Sequence, residues 1–439
     1  MIREFLRYAL PSAIAMCIAS FNTVLDGIFL GRGIGDSALA AVNLVFPLTI
    51  IFFGLATMFA VGGGALVSKY FGAGDEEKAI NIFRQVVKLI LIMSVSLSVV
   101  CMIFATPLVK ALGASEALAP LAAEYLFFYS MFCIPSLLDI AFTSFLRNDN
   151  SPKRAMVATI IGTIINITLN YVFIFILGLG IKSAAIATGI GQSITLLIIL
   201  PHFLLKKGKL TFGPSKISRS VLNEVSNIGF PSFFAEAAFS VIIWVHNLVI
   251  VNLIGDTGLS AYAIVNYITT NIYLIVLGVT LGAQPLMSYN YGAKCYHKII
   301  QYYKLAVRTN LVISLGFLII CLVIGKPMIS IFTNDPEIIN ITYIGLALTN
   351  LAYFFIGTNL TRTIFYQAIE QPKFSNLIGA MRSFLVLPFV LIGFTIMFGL
   401  KGAWISMAVS EGLTFIIICL IANTKRILPE AFINNKHIS

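Results

Sequence analysis

The sequence predicts an all-α polytopic membrane protein, with twelve transmembrane helices in two pseudo-symmetric lobes of six helices each. Its composition, its apolar windows and an internal repeat support this fold class. Of the 439 residues, 59% are hydrophobic and only 11% are charged, whereas a soluble domain averages about 25% charged residues. A soluble core could not bury this much apolar surface, so most of it must face lipid.

The apolar residues fall into twelve windows of about the 20 residues that a helix needs to cross a bilayer. We place the spans at 8–30, 41–67, 86–106, 121–145, 157–177, 184–205, 229–251, 260–287, 309–329, 338–361, 375–397 and 402–423. If the connecting segments alternate between the two sides, 23 of the 29 Lys and Arg residues lie on one side. The positive-inside rule makes that side cytoplasmic, which predicts that both termini are cytoplasmic.

The two halves of the chain repeat each other at a constant shift of 220 positions. The shift relates Pro11-Ser12 to Pro231-Ser232, Gly62 to Gly282, Pro107 to Pro327 and Pro152-Lys153 to Pro372-Lys373. Because each repeat holds six spans, both have the same orientation, as in the parallel repeats of several transporters. We therefore predict an N-terminal lobe (1–205), a cytoplasmic linker (206–227) and a C-terminal lobe (228–439).

Asp26 lies inside the first span, in the stretch "SFNTVLDGIFLGRGIGD". A carboxylate near the bilayer centre costs roughly 2.5–3.5 kcal/mol on insertion scales, and such residues usually mark ion or substrate pathways. The fifth and sixth spans supply polar companions, Asn166 and Asn170 one helical turn apart and Thr188. These oxygens suit a proton network or a small cation, although an Asn pair alone is also typical of helix–helix packing.

Other polar groups in the spans admit both a functional and a structural interpretation. Glu236, Arg382 and Glu411 could form a structural ion pair or take part in function, and His246 occupies the repeat position of Asp26. Aromatic faces attract organic cations, so Asn266, Tyr267 and Tyr353 could line a substrate cavity, with ordinary packing as the alternative. The six cysteines are scattered and form no CxxC pair, so we expect neither a disulfide framework nor a zinc site.

Several stretches together resemble the multidrug and toxic compound extrusion (MATE) transporters over essentially the whole chain. They are "ALPSAIA", "VLDGIFLGRGIGDSALAAVNLVFP", "GGGALVSKYFGAGDEEKA", "FLRNDNSPKRAM", "IINITLNYVFIFILGLGIKSAAIATGIGQ", "GFPSFFAEA", "GAQPLMSYNYGAK" and "GLKGAWISM". The likeness is strongest to the prokaryotic drug-efflux and DinF-like branches. It implies a V-shaped pair of lobes in a prokaryotic cell membrane. It also implies export of organic cations or other small toxic compounds by alternating access, coupled to H⁺ or Na⁺.

In the family's N-terminal lobe, an Asp on helix 1 works with an Asn and an Asp on helix 5 and a Thr on helix 6. The resemblance assigns these roles to Asp26, Asn166 and Thr188, but Asn170 stands where the family commonly has the second Asp. A tyrosine of helix 4, Tyr125 or Tyr129, could add a hydroxyl. The same oxygens, from Asp26, Asn166, Asn170 and Thr188, would suit Na⁺.

Other functions fit the sequence less well. A flippase for lipid-linked precursors, from the same broad superfamily, would need basic residues facing its cavity, and Arg382 is the clear intramembrane base. A membrane enzyme would need paired carboxylates of the DDxxD kind, which the sequence lacks. A channel would not explain an ion site confined to one lobe. We expect a monomeric transporter in contact with membrane lipid, without a cofactor, enzymatic activity or nucleic-acid partner.

Overall fold

The computed structural model describes residues 1–425, apart from the side chains of some residues within 31–39, 238–259 and 422–425. In that range the chain forms helices and no strands. The predicted tail from residue 426, with two of the counted basic residues, Arg426 and Lys436, lies outside the described residues.

Fourteen α-helices follow one another along the described chain. They are α1 Ile2–Gly33, α2 Asp36–Gly72, α3 Glu76–Ile103, α4 Ala105–Ala111, α5 Ala119–Met131, α6 Cys133–Asn148, α7 Pro152–Tyr171, α8 Lys182–Leu204, α9 Arg219–Gly292, α10 Tyr296–Ser330, α11 Pro336–Asn350, α12 Ala352–Ala368, α13 Pro372–Ala380 and α14 Leu387–Lys425. Two π-helical turns, Val172–Ile176 and Met381–Leu385, follow α7 and α13 directly.

The predicted membrane spans correspond to these helices. In the described chain, eight helical stretches are long and apolar enough to cross a membrane, and ten if each bent helix pair is one span. One of these stretches, Pro372–Ile421, holds the predicted spans 375–397 and 402–423, which are separated by a break at Gly399. The predicted span 229–251 lies in the first part of α9, before its break at Ile254 and Gly255. Twelve spans are therefore consistent with the structure.

Two of the spans are sharply bent, which the sequence did not predict. The helices α5 and α6 meet at an angle of 52°, and α11 and α12 meet at 40°. At the first bend, Ser98 Oγ of α3 donates a hydrogen bond of 2.6 Å to the backbone oxygen of Ser130. A hydroxyl from a neighbouring helix thus satisfies a carbonyl beside the bend, as a kink inside a membrane requires.

Apolar side chains cover the outside of the helices, as a membrane protein requires. Ile103, Val312, Val323 and Ile396 keep between 67% and 79% of their surface exposed. Exposed apolar surface on this scale marks a face that contacts something other than water. This observation supports the membrane assignment independently of the hydropathy of the sequence.

The chain divides into two compact units. The amino-terminal unit is Ile14–Glu236, and the carboxy-terminal unit combines Met1–Ala13 with the described residues from Ala237 onward. The predicted lobe boundaries at 205 and 228 remain a prediction.

Each unit receives the start of a helix that continues into the other unit. In the carboxy-terminal unit, α1 approaches so closely that a Cβ on Gly278 or Gly282 would lie 2.7 Å from its backbone. Tyr302 Oη also donates a hydrogen bond of 2.5 Å to Glu4. In the amino-terminal unit, the start of α9 packs on α2 in the same way, since a Cβ on Gly229 would collide with the backbone oxygen of Met58.

The segment between α8 and α9 is fastened to the amino-terminal unit. Asp149, at the end of α6, accepts hydrogen bonds from the backbone nitrogens of Lys209 (2.9 Å) and Leu210 (3.3 Å) and from His202 Nε2 (2.8 Å). Arg84 of α3 donates to the backbone oxygen of Thr211 at 2.8 Å. We call residues 205–218, held by these contacts, the linker strap.

Candidate functional site

Asp26 lies on α1 within a shell of amide groups. Asn170 Nδ2 of α7 donates to Asp26 Oδ1 at 2.7 Å, and Asn22 Nδ2 of α1 donates to Asp26 Oδ2 at 3.1 Å. Each carboxylate oxygen therefore accepts one hydrogen bond from a neutral donor. No basic side chain in the described part of the amino-terminal unit pairs with this carboxylate.

The predicted companions of Asp26 continue the same network. Asn170 Nδ2 also lies 3.4 Å from Asn166 Oδ1, and Asn166 Nδ2 donates to Thr188 Oγ1 of α8 at 3.1 Å. Both asparagines are buried, with 3% and 0% of their surface exposed. The structure thus joins the four residues proposed as a possible Na⁺ site into one chain of hydrogen bonds across α1, α7 and α8.

Two amide oxygens around Asp26 are hydrogen-bond acceptors without a described donor. Asn170 Oδ1 and Asn22 Oδ1 are buried and accept no hydrogen bond from any described group. Buried polar atoms in native proteins nearly always find a partner, so such an atom calls for an explanation. Oxygen atoms beside an uncompensated carboxylate can bind a small hard cation, or they can accept a hydrogen bond after a local rearrangement.

Close helix packing brings α7 and α8 together at this level. A Cβ on Gly191 would lie 2.8 Å from the backbone oxygen of Gly162 and from Asn166 Cβ, so only glycine permits this approach. The π-helical turn Val172–Ile176 begins two residues after Asn170. Such turns insert an extra residue into a helix and are frequent at functional sites.

The two candidate tyrosines of α5 stack on each other, with ring centroids 6.0 Å apart. Tyr125 lies close enough to Asp26 for an electrostatic interaction. Tyr129 instead interacts electrostatically with Cys133. The sequence left the choice between the two tyrosines open. The electrostatic interaction with Asp26 makes Tyr125 the better candidate for the Asp26 site.

In the carboxy-terminal unit, Arg382 and Glu411 form an ion pair. Arg382 Nη2 lies 2.7 Å from Glu411 Oε1, and Nε donates to the same carboxylate at 2.8 Å and 3.0 Å. Glu236 belongs to the amino-terminal unit. It lies beside Gly54 of α2 in the amino-terminal unit, and none of the described residues hydrogen-bonds to it.

Three other candidates, His246, Asn266 and Tyr353, make contacts within the carboxy-terminal unit. His246 stacks on Tyr262, with ring centroids 5.5 Å apart, and its Nδ1 contacts the backbone oxygen of Ile242 at 2.9 Å. The Asn266 side chain lies close enough to the Tyr262 hydroxyl to interact with it. Tyr353 Oη donates to the backbone oxygen of Thr269 at 2.9 Å.

Tyr267 remains 40% exposed and stacks on Phe332. It is therefore accessible for contacts with a ligand or with lipid, unlike the buried His246, Tyr262 and Tyr353.

Sequence reasoning missed two functional candidates. Asn22 precedes Asp26 by four positions, which places both side chains on one helix face, so this spacing could have identified it. Asn359 of α12 donates to Glu411 Oε2 at 2.7 Å and to its backbone oxygen at 3.1 Å. No local spacing indicates that contact, because 52 residues separate the two positions.

The fold and the duplicated helices define a class, the internally repeated polytopic membrane proteins, and comparison with known proteins identifies the family. The MatE family model matches the chain twice, over residues 11–172 and 231–392. Both ends of the two matches differ by 220 positions, the shift found in the sequence repeat. The chain therefore belongs to the MatE family of multidrug and toxic compound extrusion transporters. It is a multi-pass membrane transporter and not an enzyme.

Curated relatives and solved structures agree with this assignment. Multidrug export protein MepA of Staphylococcus saprophyticus is 27% identical over 418 residues, covering 93% of this chain and 90% of the relative. Its counterpart from Staphylococcus aureus (strain MSSA476) is 24% identical over 426 residues, covering 95% and 93%. These bacterial relatives place the transporter in a plasma membrane.

The fold matches a solved outward-facing MATE family multidrug resistance transporter with a TM-score of 0.91. That match covers 96% of this chain and 95% of the other at 23% identity. A MOP superfamily transporter from Pyrococcus furiosus, described as having a binding pocket of reverse polarity, matches with a TM-score of 0.89. It covers 96% and 95% at 22% identity.

Proposed function

We propose that this transporter is an ion-coupled antiporter that exports small cationic or amphipathic compounds by alternating access. It acts as a monomer, with both termini in the cytoplasm, and H⁺ or Na⁺ drives it. One observation carries the proposal. Asp26 is an intramembrane carboxylate surrounded by neutral hydrogen-bond donors rather than by a compensating cation.

An uncompensated carboxylate in a membrane favours binding of a positive ion, because the ion removes the cost of the isolated charge. With H⁺, Asp26 becomes neutral and gains a donor of its own, for which Asn22 Oδ1 and Asn170 Oδ1 are nearby acceptors. With Na⁺, the carboxylate and the oxygens of Asn166, Asn170 and Thr188 supply hard ligands. Since Asn170 replaces the family's second Asp, Asp26 supplies the only negative charge among these four residues.

Ion binding must favour one conformation in order to drive transport. The network offers a physical route, because Asn170 Nδ2 bonds both Asp26 Oδ1 and Asn166 Oδ1. When Asp26 is neutralised, the hydrogen bond from Asn170 weakens, since bonds to ionised acceptors are about twice as strong as neutral ones. The contacts of α1 with α7 then change, and with them the affinity for the exported compound, as reciprocal coupling between two sites requires.

Two further observations support export of organic compounds over lipid flipping. The curated relatives bear the name multidrug export protein. Arg382, the base that a lipid-diphosphate flippase would need, is already paired with Glu411.

The test is efflux of ethidium, a fluorescent organic cation, from vesicles containing the purified protein. A pH gradient and a Na⁺ gradient are imposed separately on the wild type and on Asp26→Asn. The matched control is Asp139→Asn, which replaces another intramembrane carboxylate whose described neighbours, Thr143 and Arg147, belong to its own helix. We expect one gradient to drive efflux in the wild type and in the control but not in Asp26→Asn. Gradient-driven efflux by a folded Asp26→Asn protein would refute the proposal.

A further inference from the structure

The bends after α5 and α11 occupy the same position in the two repeats. A shift of 220 positions, the one that relates the two family matches, pairs Ser130 with Asn350 and Cys133 with Tyr353. These residues lie directly before and after the two bends. Each bend lies inside one unit, at 52° between α5 and α6 and at 40° between α11 and α12. The same break therefore exists twice, at two angles that differ by about 12°.

In each unit, a serine of the preceding long helix donates a hydrogen bond to a backbone oxygen beside the bend. Ser98 Oγ of α3 donates to Ser130 O, before the first bend, at 2.6 Å. Ser314 Oγ of α10 donates to Tyr353 O, after the second bend, at 3.1 Å. Such donors satisfy carbonyls at a break in a membrane helix. Two contact positions thus exist, one on each side of the bend, and each unit uses a different one.

The amino-terminal unit carries a serine at both positions. Ser94 is the repeat equivalent of Ser314 and lies one turn before Ser98 on the same buried face of α3. In this structure its hydroxyl donates to Leu91 O of its own helix at 2.9 Å. The repeat equivalent of Ser98 is Leu318, so α10 has a hydroxyl at only one of the two positions.

Rotation of one buried side chain gives the first bend a second setting. If Ser94 turns about its Cα–Cβ bond, its hydroxyl can leave Leu91 O and donate to Cys133 O. A carbonyl oxygen has two lone pairs and can accept this bond in addition to one within its helix. The same contact is formed in the carboxy-terminal unit, between Ser314 and Tyr353 O. That unit has the smaller angle, so we expect the second setting to be the straighter one.

The angle of this bend determines where Tyr125 lies. Tyr125 precedes the end of α5 at Met131 by six residues, which is about 9 Å at 1.5 Å per residue. If α6 stays in place, a change of about 12° over that length moves the tyrosine by about 2 Å. Tyr125 interacts electrostatically with Asp26. A displacement of this size is enough to make or break a hydrogen bond.

We propose that the α5–α6 bend alternates between these two settings during transport and that Ser94 is the positioning residue of the second setting. The inference rests on the proposed export function, which requires two conformations. Ser98 holds the first setting, with Tyr125 close to Asp26. Ser94 holds the second setting, in which Tyr125 is displaced. The change is inexpensive, because one neutral hydrogen bond to a backbone oxygen replaces another.

The test measures ion-driven ethidium efflux by Ser94→Ala in vesicles, together with the melting temperature of the purified protein. In the first setting this hydroxyl bonds a carbonyl of its own helix, so its removal leaves that setting intact. We expect kcat to fall about fivefold, the equivalent of one neutral hydrogen bond, with KM and melting temperature unchanged. The matched control is Ser96→Ala. Ser96 makes the same 2.9 Å contact, to Ile92 O, on an exposed face of α3, and the variant should match the wild type.

Ser98→Ala completes the comparison, because it leaves Ser130 O without its donor in the first setting. We expect this variant, unlike Ser94→Ala, to lower the melting temperature. A Ser94→Ala protein with the kcat of the wild type would overturn the inference and leave the proposed function intact. A melting temperature as low as that of Ser98→Ala, or a failure to fold, would show that Ser94 is structural and would also overturn it. If the wild type shows no ion-driven efflux, the proposed function is wrong and the inference falls with it.

Discussion

Asp149→Ala should release the linker strap from the amino-terminal unit. In the wild type this carboxylate accepts hydrogen bonds from Lys209 N, Leu210 N and His202 Nε2. All three donors lose their acceptor in the variant. A buried group left without its partner costs about 1–3 kcal/mol, so the three donors together lose roughly 3–9 kcal/mol if no water enters and about 3 kcal/mol if water does.

Most of this lost free energy favours local opening of the linker strap, because the strap can detach while the helices stay folded. A loss of about 3 kcal/mol raises the open population by more than about 100-fold, at about 1.4 kcal/mol for each factor of ten. The rate of limited trypsin digestion is proportional to the open population when the linker strap recloses faster than trypsin cleaves it. The strap carries suitable cleavage sites at Lys206, Lys207, Lys209 and Lys216.

The measurement is the rate at which trypsin cuts between residues 206 and 216, with the fragments identified by mass spectrometry. We expect about a 100-fold faster cut in Asp149→Ala and a smaller increase in Asp149→Asn, which keeps one acceptor oxygen. Glu116→Ala, which removes an exposed carboxylate far along the sequence, is the control and should match the wild type. A cleavage rate in Asp149→Ala within about threefold of the wild type would refute the reasoning.

Two further variants test the helix packing and the ion site. Gly191→Ala should lower the melting temperature, because its Cβ would lie 2.8 Å from a backbone oxygen of α7, whereas Gly316→Ala has nothing within 4 Å. Equal melting temperatures for the two variants would contradict the packing argument. Asn170→Leu should reduce ion-driven efflux at least about tenfold by removing the 2.7 Å donor to Asp26 and the link to α7. Asn22→Leu, which removes a longer bond within one helix, should cost less, and the reverse order would count against the proposed network.

The sequence was sufficient for the spans and for the centre of the candidate site. Gly255 and Gly399, with φ angles of 62° and 58°, break α9 and α14 between predicted spans. Hydropathy locates these interruptions because the residues around them are less apolar. The sequence analysis assigned Asp26 and Asn170 to one site for two reasons, the cost of a charge inside the membrane and the family resemblance.

Other features depend on contacts that no window along the sequence contains. The bends after α5 and α11 fall inside apolar stretches, so hydropathy does not reveal them. The π-helical turn at Arg382 changes the direction in which the following side chains point. The ion pair of Arg382 with Glu411 joins residues that are 29 positions apart in the sequence. The sequence could suggest that pair among several alternatives, but only the structure shows that Arg382 and Glu411 form it.

The packing of the first turns of α1 has a consequence for synthesis and assembly. Ala9 and Ala13 rest against Gly282 and Gly278, which the ribosome makes more than 260 residues later. Until then the first turns of α1 cannot make their native packing contacts. The surface of α2 around Met58 likewise remains uncovered until Gly229 has been synthesised. Neither repeat can complete its own packing if it is produced alone.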